Sequence, residues 1–489
     1  MWDTSDQGTA RAQRPANPRS LKSGAVGPLA LLGQSVAGVG PSIGAAAFFP
    51  LAFADAGTAS WISVVLATVG VAAVGVCISY LARHHTSAGA LYTYIPKGLR
   101  FSSIGFVSAG VAFVLGLCAT AGALFGFGLY TAAFLDDANL MHLSDGGTIA
   151  VDIIGLAIAG LLAVRDIRVS TRLLLIIEAV SMAVISALLI VVLARHPGGV
   201  FDSGIAGGHG STVHGVVLGA VFFILGFGGF ESAASLGAEA RNPRRSVPLA
   251  VLGSTAVVAL FFVGNAYVQV LGFQGTKESL ADQAFPLTAL ADLYHVQWLG
   301  TIAALGVAVS FFSAVNAYIN YTARMAFAAA RDRLLPSRLS RTHHHTGAPH
   351  IAVVAFIVIA AVAPVVIGIT GTNQETAFGD FSTLAGYAFT LLYLLVSLAA
   401  IGWVVIQATR SIGLVAAGLL GAAAMGLEFY YSLVPFPPYP ASLPLIIFLA
   451  ALGALVIGYL VVRLASAELA LRAGQRSTAS SADPASTDQ

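Results

Sequence analysis

Residues 226–232 read Gly226-Phe227-Gly228-Gly229-Phe230-Glu231-Ser232, and residues 38–44 read Gly38-Val39-Gly40-Pro41-Ser42-Ile43-Gly44. Each stretch interrupts a long apolar run where a helix would otherwise continue. Proline removes a backbone donor, and glycine lowers the cost of leaving helical dihedrals. A single interruption is explained equally well by close helix packing, for which small residues serve. Two of them, in the first and sixth apolar runs, point further. Unwound backbone has N–H and C=O groups that hydrocarbon cannot satisfy, so both segments must face a protein-enclosed cavity. Interruptions five spans apart are the pattern of an inverted repeat whose two broken helices meet at a central site.

The runs around these breaks set the class of protein. Of 489 residues, 57% are hydrophobic and only 9% charged, against roughly 25% charged in a soluble domain. A helix of about 20 residues crosses about 30 Å of hydrocarbon. Apolar runs of about that length fall at 24–53, 58–82, 102–135, 147–164, 171–194 and 213–237, then at 248–272, 297–328, 350–370, 377–407, 411–433 and 441–465. The expected fold is an all-α polytopic membrane protein of about twelve spans. Spans one to five and six to ten would form a 5+5 inverted-repeat core, with spans one and six broken and two helices added. Residues 24–466 would make the membrane domain. The polar tails 1–23 and 467–489 read as disordered and cytoplasmic.

Charge supports the count. With the spans alternating from a cytoplasmic N-terminus, every one of the 24 Lys and Arg residues except Arg195 and Lys277 falls on the inner side, Arg324 being taken with the loop at 324–341. That bias is what the positive-inside rule requires. It implies a bacterial cytoplasmic membrane with both termini inside. No cleavable signal peptide is visible, so the first span is expected to direct insertion itself.

The breaks also carry chemistry. A half-helix starting after Ser42 presents free N–H groups and the positive end of its dipole, which suits a carboxylate. Carbonyls left free before each break suit an ammonium group. A molecule with amine and carboxylate close together matches both without a dedicated charged side chain. Two carboxylates, Glu178 and Glu231, lie well inside apolar runs, with Asp152 and Glu428 nearer span ends. An acidic residue at mid-membrane costs about 2.5–3.5 kcal/mol, so each is either functional or a structural pin for nearby unwound backbone. Glu178 and Glu231 are the candidates for coupling to protons.

Other features are bland. Cys77 and Cys118 sit in apolar runs as small buried side chains and imply neither disulfide nor metal. His343, His344, His345 and His350 read as a solvated loop. The chain shows no P-loop, HExxH, GxSxG or CxxC pattern, so neither ATP-driven transport nor familiar hydrolysis is supported. An enzyme, a cofactor, a metal and a nucleic-acid partner are all unsupported; the expected partners are a small molecule and the bilayer.

At the broken spans the chain resembles the amino acid–polyamine–organocation (APC) superfamily, and within it the bacterial amino acid permeases. Four stretches carry the likeness: Gly40 to Gly44; Ser87-Ala88-Gly89-Ala90-Leu91-Tyr92-Thr93-Tyr94; Phe227 to Ser232 continuing to Glu239-Ala240-Arg241-Asn242-Pro243 and on to Pro248; and Asn316 to Arg324 with Arg331-Asp332-Arg333-Leu334-Leu335-Pro336. The resemblance implies a secondary active transporter working by alternating access. It implies a carboxylate site at Gly40, Pro41, Ser42, Ile43 and Gly44, and an amine site at the carbonyls of Ala37, Gly38, Phe227 and Gly228. Phe227 and Phe230 would cover the substrate. No basic residue sits deep in a span to pair with an acidic side chain, so the expected substrate is a neutral or cationic amino acid. Two positions depart from the pattern. The gating aromatic of arginine/agmatine-type exchangers falls on Leu225, and the helix-five lysine of proton-coupled members falls at or near Glu178. An amine lacking a carboxylate, such as ethanolamine or putrescine, is the runner-up substrate, and a non-transporting amino-acid sensor is the alternative of a different class.

Overall fold

The computed structural model describes residues 21–165, 167–208 and 210–465. The expected disordered tails lie, apart from residues 21–23, outside the described residues. Among the described residues the chain is helical, with one isolated parallel bridge, Val26 to Ala240. In chain order the helices are α1 (Pro28–Val39), α2 (Pro41–Ile43), α3 (Phe49–Ala56), α4 (Ser60–His84), α5 (Leu91–Leu99), α6 (Ser102–Asp137), α7 (Asp145–Val164), α8 (Ile167–Arg195) and α9 (Ser203–Ala206). They continue with α10 (Val213–Gly226), α11 (Pro243–Phe273), α12 (Pro286–Leu293), α13 (Gln297–Arg331), α14 (His350–Ala360), α15 (Val362–Thr370), α16 (Gln374–Gln407), α17 (Ile412–Leu433) and α18 (Leu443–Ala465).

Among the described residues, ten helical stretches are long and apolar enough to cross a membrane. The sequence expectation was about twelve, and the difference has two local causes. The runs 24–53 and 58–82 join through a short turn at Gly57–Ala59 into one helical stretch, Pro28–His84. The sixth run stops at Gly226, so its helix, Val213–Gly226, has only 14 residues. The outward faces are apolar: Leu260 is 78% exposed and Ile369 81% exposed. Side chains of that kind cover a lipid-facing surface, which follows from the composition rather than contradicting it.

α13 lies at the centre, packed against α6, α8 and α1, and α16 packs against α6, α5 and α17. The start of α1 is tied to the link between α10 and α11. The Val26 N–H donates to Glu239 O at 2.9 Å, the Arg241 N–H donates to Val26 O at 2.8 Å, and Arg241 Nε donates to Gly24 O at 3.0 Å. The two segments that the sequence marks as broken are therefore joined away from their breaks as well as at them.

Arg324 departs from the charge reading. It is not in a loop: it sits inside α13 with no exposed surface. Its Nε donates to Glu239 Oε2 at 2.6 Å and its Nη2 to Oε1 at 3.3 Å, while Nη1 donates to Asn320 Oδ1 at 3.0 Å. Asn320 in turn donates to Asn316 Oδ1 at 3.0 Å, which also accepts from Ser170 at 2.7 Å, and Asn316 Nδ2 donates to Ala159 O at 2.8 Å. Residues 316, 320 and 324 stand one turn apart, so a polar stripe along α13 binds α7, α8 and the link before α11.

Candidate functional site

The first break is narrow. Gly40 takes φ 62°, a left-handed conformation that ends α1. Pro41 has no N–H to give, and the chain resumes helical turns at once, with the N–H groups of Ile43 and Gly44 donating to Gly40 O at 2.8 and 3.2 Å. Ser42 is fully buried, and its Oγ has no hydrogen-bond partner among the described residues. A π-helical turn, Gly44–Phe48, follows before α3.

The second break is wide. After Gly226 the chain runs through tight turns, with the Gly228 N–H on Leu225 O at 2.8 Å and the Phe230 N–H on Phe227 O at 3.3 Å. Gly229 has φ 94°. Only a 3-10 segment, Ser232–Leu236, interrupts the irregular path to α11.

The two breaks meet. A Cβ on Gly38 would stand 2.6 Å from Gly229 O and 2.7 Å from Ser232 Oγ. Only glycine lets the backbones approach so closely. Ser232 Oγ donates to Gln34 O at 2.8 Å, and the Ala233 N–H to Ser35 Oγ at 3.3 Å, which sews the segments together.

Two tyrosines that sequence reasoning did not single out hold the junction. The Tyr318 hydroxyl on α13 donates to Gly38 O at 2.7 Å and lies 3.5 Å from Gly228 O. It therefore reaches two of the carbonyls assigned to an ammonium group. The Tyr393 hydroxyl on α16 donates to Glu231 Oε2 at 2.6 Å and accepts the Gly229 N–H at 3.1 Å. Both positions looked like ordinary aromatic residues in apolar runs; what could have marked them is a hydroxyl at a depth where each donor needs a partner.

That arrangement makes a prediction. Tyr393→Phe removes the donor to a buried carboxylate and the acceptor of a buried N–H together. Leaving such a group unpaired costs about 1–3 kcal/mol, more for a charged one. The variant should melt clearly below wild type in detergent; an unchanged melting temperature would refute the role given to this hydroxyl.

Beside the junction lies a cavity of about 70 Å³. Its walls include Val39, Ile43, Leu225, Gly228, Phe311, Tyr318 and Phe389. Ordinary small-ligand sites hold about 300–1,000 Å³, so a bound solute requires the lining rings to move. Of the residues that the sequence placed in the site, Ile43 and Gly228 line this cavity. Ala37, Gly38, Gly40, Pro41, Ser42 and Gly44 are not among its walls. Ala37 clusters with Leu174 of α8 and Ala317 of α13. Phe227 packs edge-on against Phe262 with centroids 5.2 Å apart, and Phe230 against Tyr393 at 5.3 Å; neither is a wall of the cavity. Phe48, Phe311, Phe378 and Phe389 take the lining positions instead.

The membrane carboxylates are all buried, and each has a hydrogen-bond partner on at least one oxygen. The Ser310 hydroxyl of α13 lies 2.9 and 3.0 Å from the two oxygens of Glu178 on α8. Gln374 donates to Asp152 at 2.8 Å, and Thr390 to Glu428 at 2.7 Å. Each of these contacts joins two helices. Glu231 alone of the four stands at the junction of the breaks. His343, His344 and His345, in the link between α13 and α14, and His350, the first residue of α14, lie ring to ring.

Comparison with known proteins agrees with this architecture. The family model described as amino acid permease matches residues 33–434. An uncharacterised transporter of Mycobacterium tuberculosis is 30% identical over 77% of this chain and 81% of its own. The vacuolar cationic amino acid transporter 2 of Arabidopsis thaliana is 26% identical over 73% of this chain and 58% of its own. The crystal structure of MhsT in complex with L-phenylalanine superposes with a TM-score of 0.54 at 14% identity, covering 84% of this chain and 99% of that one, a likeness of fold. A multi-pass helical membrane protein with two interrupted helices meeting at its centre is the class so defined. The chain belongs to the amino acid permease family, within the APC superfamily.

Proposed function

We propose that this protein is a secondary active transporter of an amino acid, neutral or cationic, in a bacterial cytoplasmic membrane. The observation that carries the reading is the meeting of Gly38 and Gly229, backbone against backbone, at the edge of a central cavity. In this reading residues 24–466 form twelve spans, α1 with α2 and α3 being the first and α10 with the segment after it the sixth. Spans one to five and six to ten are inverted repeats, and both termini are cytoplasmic.

The substrate's carboxylate would sit against the unpartnered Ser42 hydroxyl just after Gly40, since the Ile43 and Gly44 N–H groups already donate to Gly40 O. Its ammonium would take the carbonyls of Gly38 and Gly228, in place of the Tyr318 hydroxyl. Alternating access then follows from the junction, since a ligand that bridges the two breaks changes how they sit on α13 and α16. Differential affinity for two states is what drives such a change.

A thermal-shift screen of the purified protein against amino acids and simple amines tests the binding step. A ligand at about 100 times its Kd stabilises the folded state by about 2.7 kcal/mol. Hits must then be taken up into proteoliposomes. Binding without uptake would indicate a sensor, and hits with amines alone would leave the carboxylate site idle.

Proton coupling is assigned to Glu231 or Glu178. If either carries the proton, Glu231→Gln or Glu178→Gln flattens the pH dependence of uptake while substrate binding persists. Identical pH profiles for wild type and both variants would remove these carboxylates from the coupling mechanism.

A further inference from the structure

The cavity walls contain no Asp, Glu, Lys, Arg or His among the described residues. Their polar side chains are Tyr318 and Ser382, and the Tyr318 hydroxyl is engaged by Gly38 O. Glu231, close in sequence, turns its carboxylate to Tyr393 and is not part of the walls. Glu178 is held by Ser310 between α8 and α13. A guanidinium or ammonium side chain entering this space would lose its water and find no opposite charge, which is strongly unfavourable. An alkyl or aromatic side chain would instead meet Leu225 and Phe311.

Space in the walls is set by small residues. Ala119 and Ala123 stand one turn apart on α6, and Ala314 on α13 lines the same cavity. Residues four apart lie on one helix face, so the two α6 alanines form a shallow recess rather than isolated gaps. A longer side chain at either would occupy the room that a substrate side chain needs.

Resting on the transport reading above, we infer that the site takes amino acids with neutral, apolar side chains and rejects cationic ones. Ala119, Ala123 and Ala314 limit the size of the accepted side chain. The site thus reads the backbone of the substrate through the two helix breaks and its side chain through shape and absence of charge. Discrimination by shape in an apolar pocket amounts to about 10–200-fold per methylene, whereas a missing counter-charge rejects far more strongly.

The experiment is uptake into proteoliposomes by the full-length protein, with leucine, phenylalanine, alanine, arginine and lysine as substrates. Expected is uptake of the apolar amino acids, with arginine and lysine failing to compete at about 100-fold excess, the scale of discrimination argued above. Ala123→Leu should lower the ratio of phenylalanine to alanine transport efficiency by at least about tenfold, whatever the absolute rates. Ala119→Val, which adds less volume, serves as the second variant if the first does not fold. Uptake of arginine or lysine in preference to leucine would overturn the inference while leaving transport intact. So would an unchanged phenylalanine-to-alanine ratio in a folded variant. A folded protein that takes up no amino acid would overturn the transport reading itself.

Discussion

Arg324→Met is expected to be the most damaging single substitution at any buried polar position in this chain. It would leave Glu239 as an uncompensated charge with about 2% of its side chain exposed. Removing one partner of a buried pair costs about 3–5 kcal/mol, because the remaining charge keeps its desolvation penalty without its attraction. Asn320 loses its donor at the same time, so the damage spreads along the stripe to Asn316 and Ser170. Little folded protein should survive size exclusion in detergent.

The double variant Glu239→Gln with Arg324→Met should recover much of that loss, since a buried pair replaced at both ends is often close to neutral. Glu239→Gln alone should fall between, because the glutamine oxygen still accepts from Arg324. Measuring melting temperatures for the four members of this cycle gives the coupling directly. Additive losses in the double variant would mean that the two side chains act separately, and that the pair does not hold the α10–α11 link to α13.

How much of this was legible beforehand depends on the kind of signal. The spans follow from hydrophobic run length, which is a local property, and the breaks follow from Gly40-Pro41 and Gly228-Gly229, whose backbone requirements are local too. The meeting of those breaks was expected from their spacing, and Gly38 against Gly229 fits it. Side-chain lining is a different matter. Phe227 and Phe389 look alike in the sequence, and only the course of the chain after Gly226 decides that Phe389 lines the cavity while Phe227 packs on Phe262. Arg324 was misplaced for a related reason: it lies near the end of an apolar run, where a count of charges cannot separate a loop residue from a buried one. The signal that separates them was present, as Asn316, Asn320 and Arg324 recur every four residues and so share a face that must be satisfied within the protein.

Gly229→Ala is expected to abolish transport, and Gly38→Ala to impair it severely. At Gly229 an added Cβ would press on the carbonyl carbon of Gly38, 2.7 Å away, and would lie 3.1 Å from the Tyr318 hydroxyl. Backbone cannot swing aside as a side-chain tip can, so the two broken segments must separate. Overpacking of this kind costs about 1–3 kcal/mol. The residue also has φ 94°, a region that costs an L-residue about 1–2 kcal/mol more. Gly38→Ala meets Gly229 O and Ser232 Oγ but carries no such backbone strain, which is why it should be the milder of the two. Since each 1.4 kcal/mol is tenfold in a rate or an equilibrium, uptake should drop by at least about tenfold in both. Gly264→Ala is the control: nothing lies within 4 Å of its added Cβ, and alanine in a helix interior is favoured over glycine by about 0.5–1 kcal/mol. It should transport and melt at least as well as wild type. If Gly38→Ala and Gly229→Ala behave like Gly264→Ala, the close approach of the two breaks has no bearing on transport, and the site must be sought elsewhere in the chain.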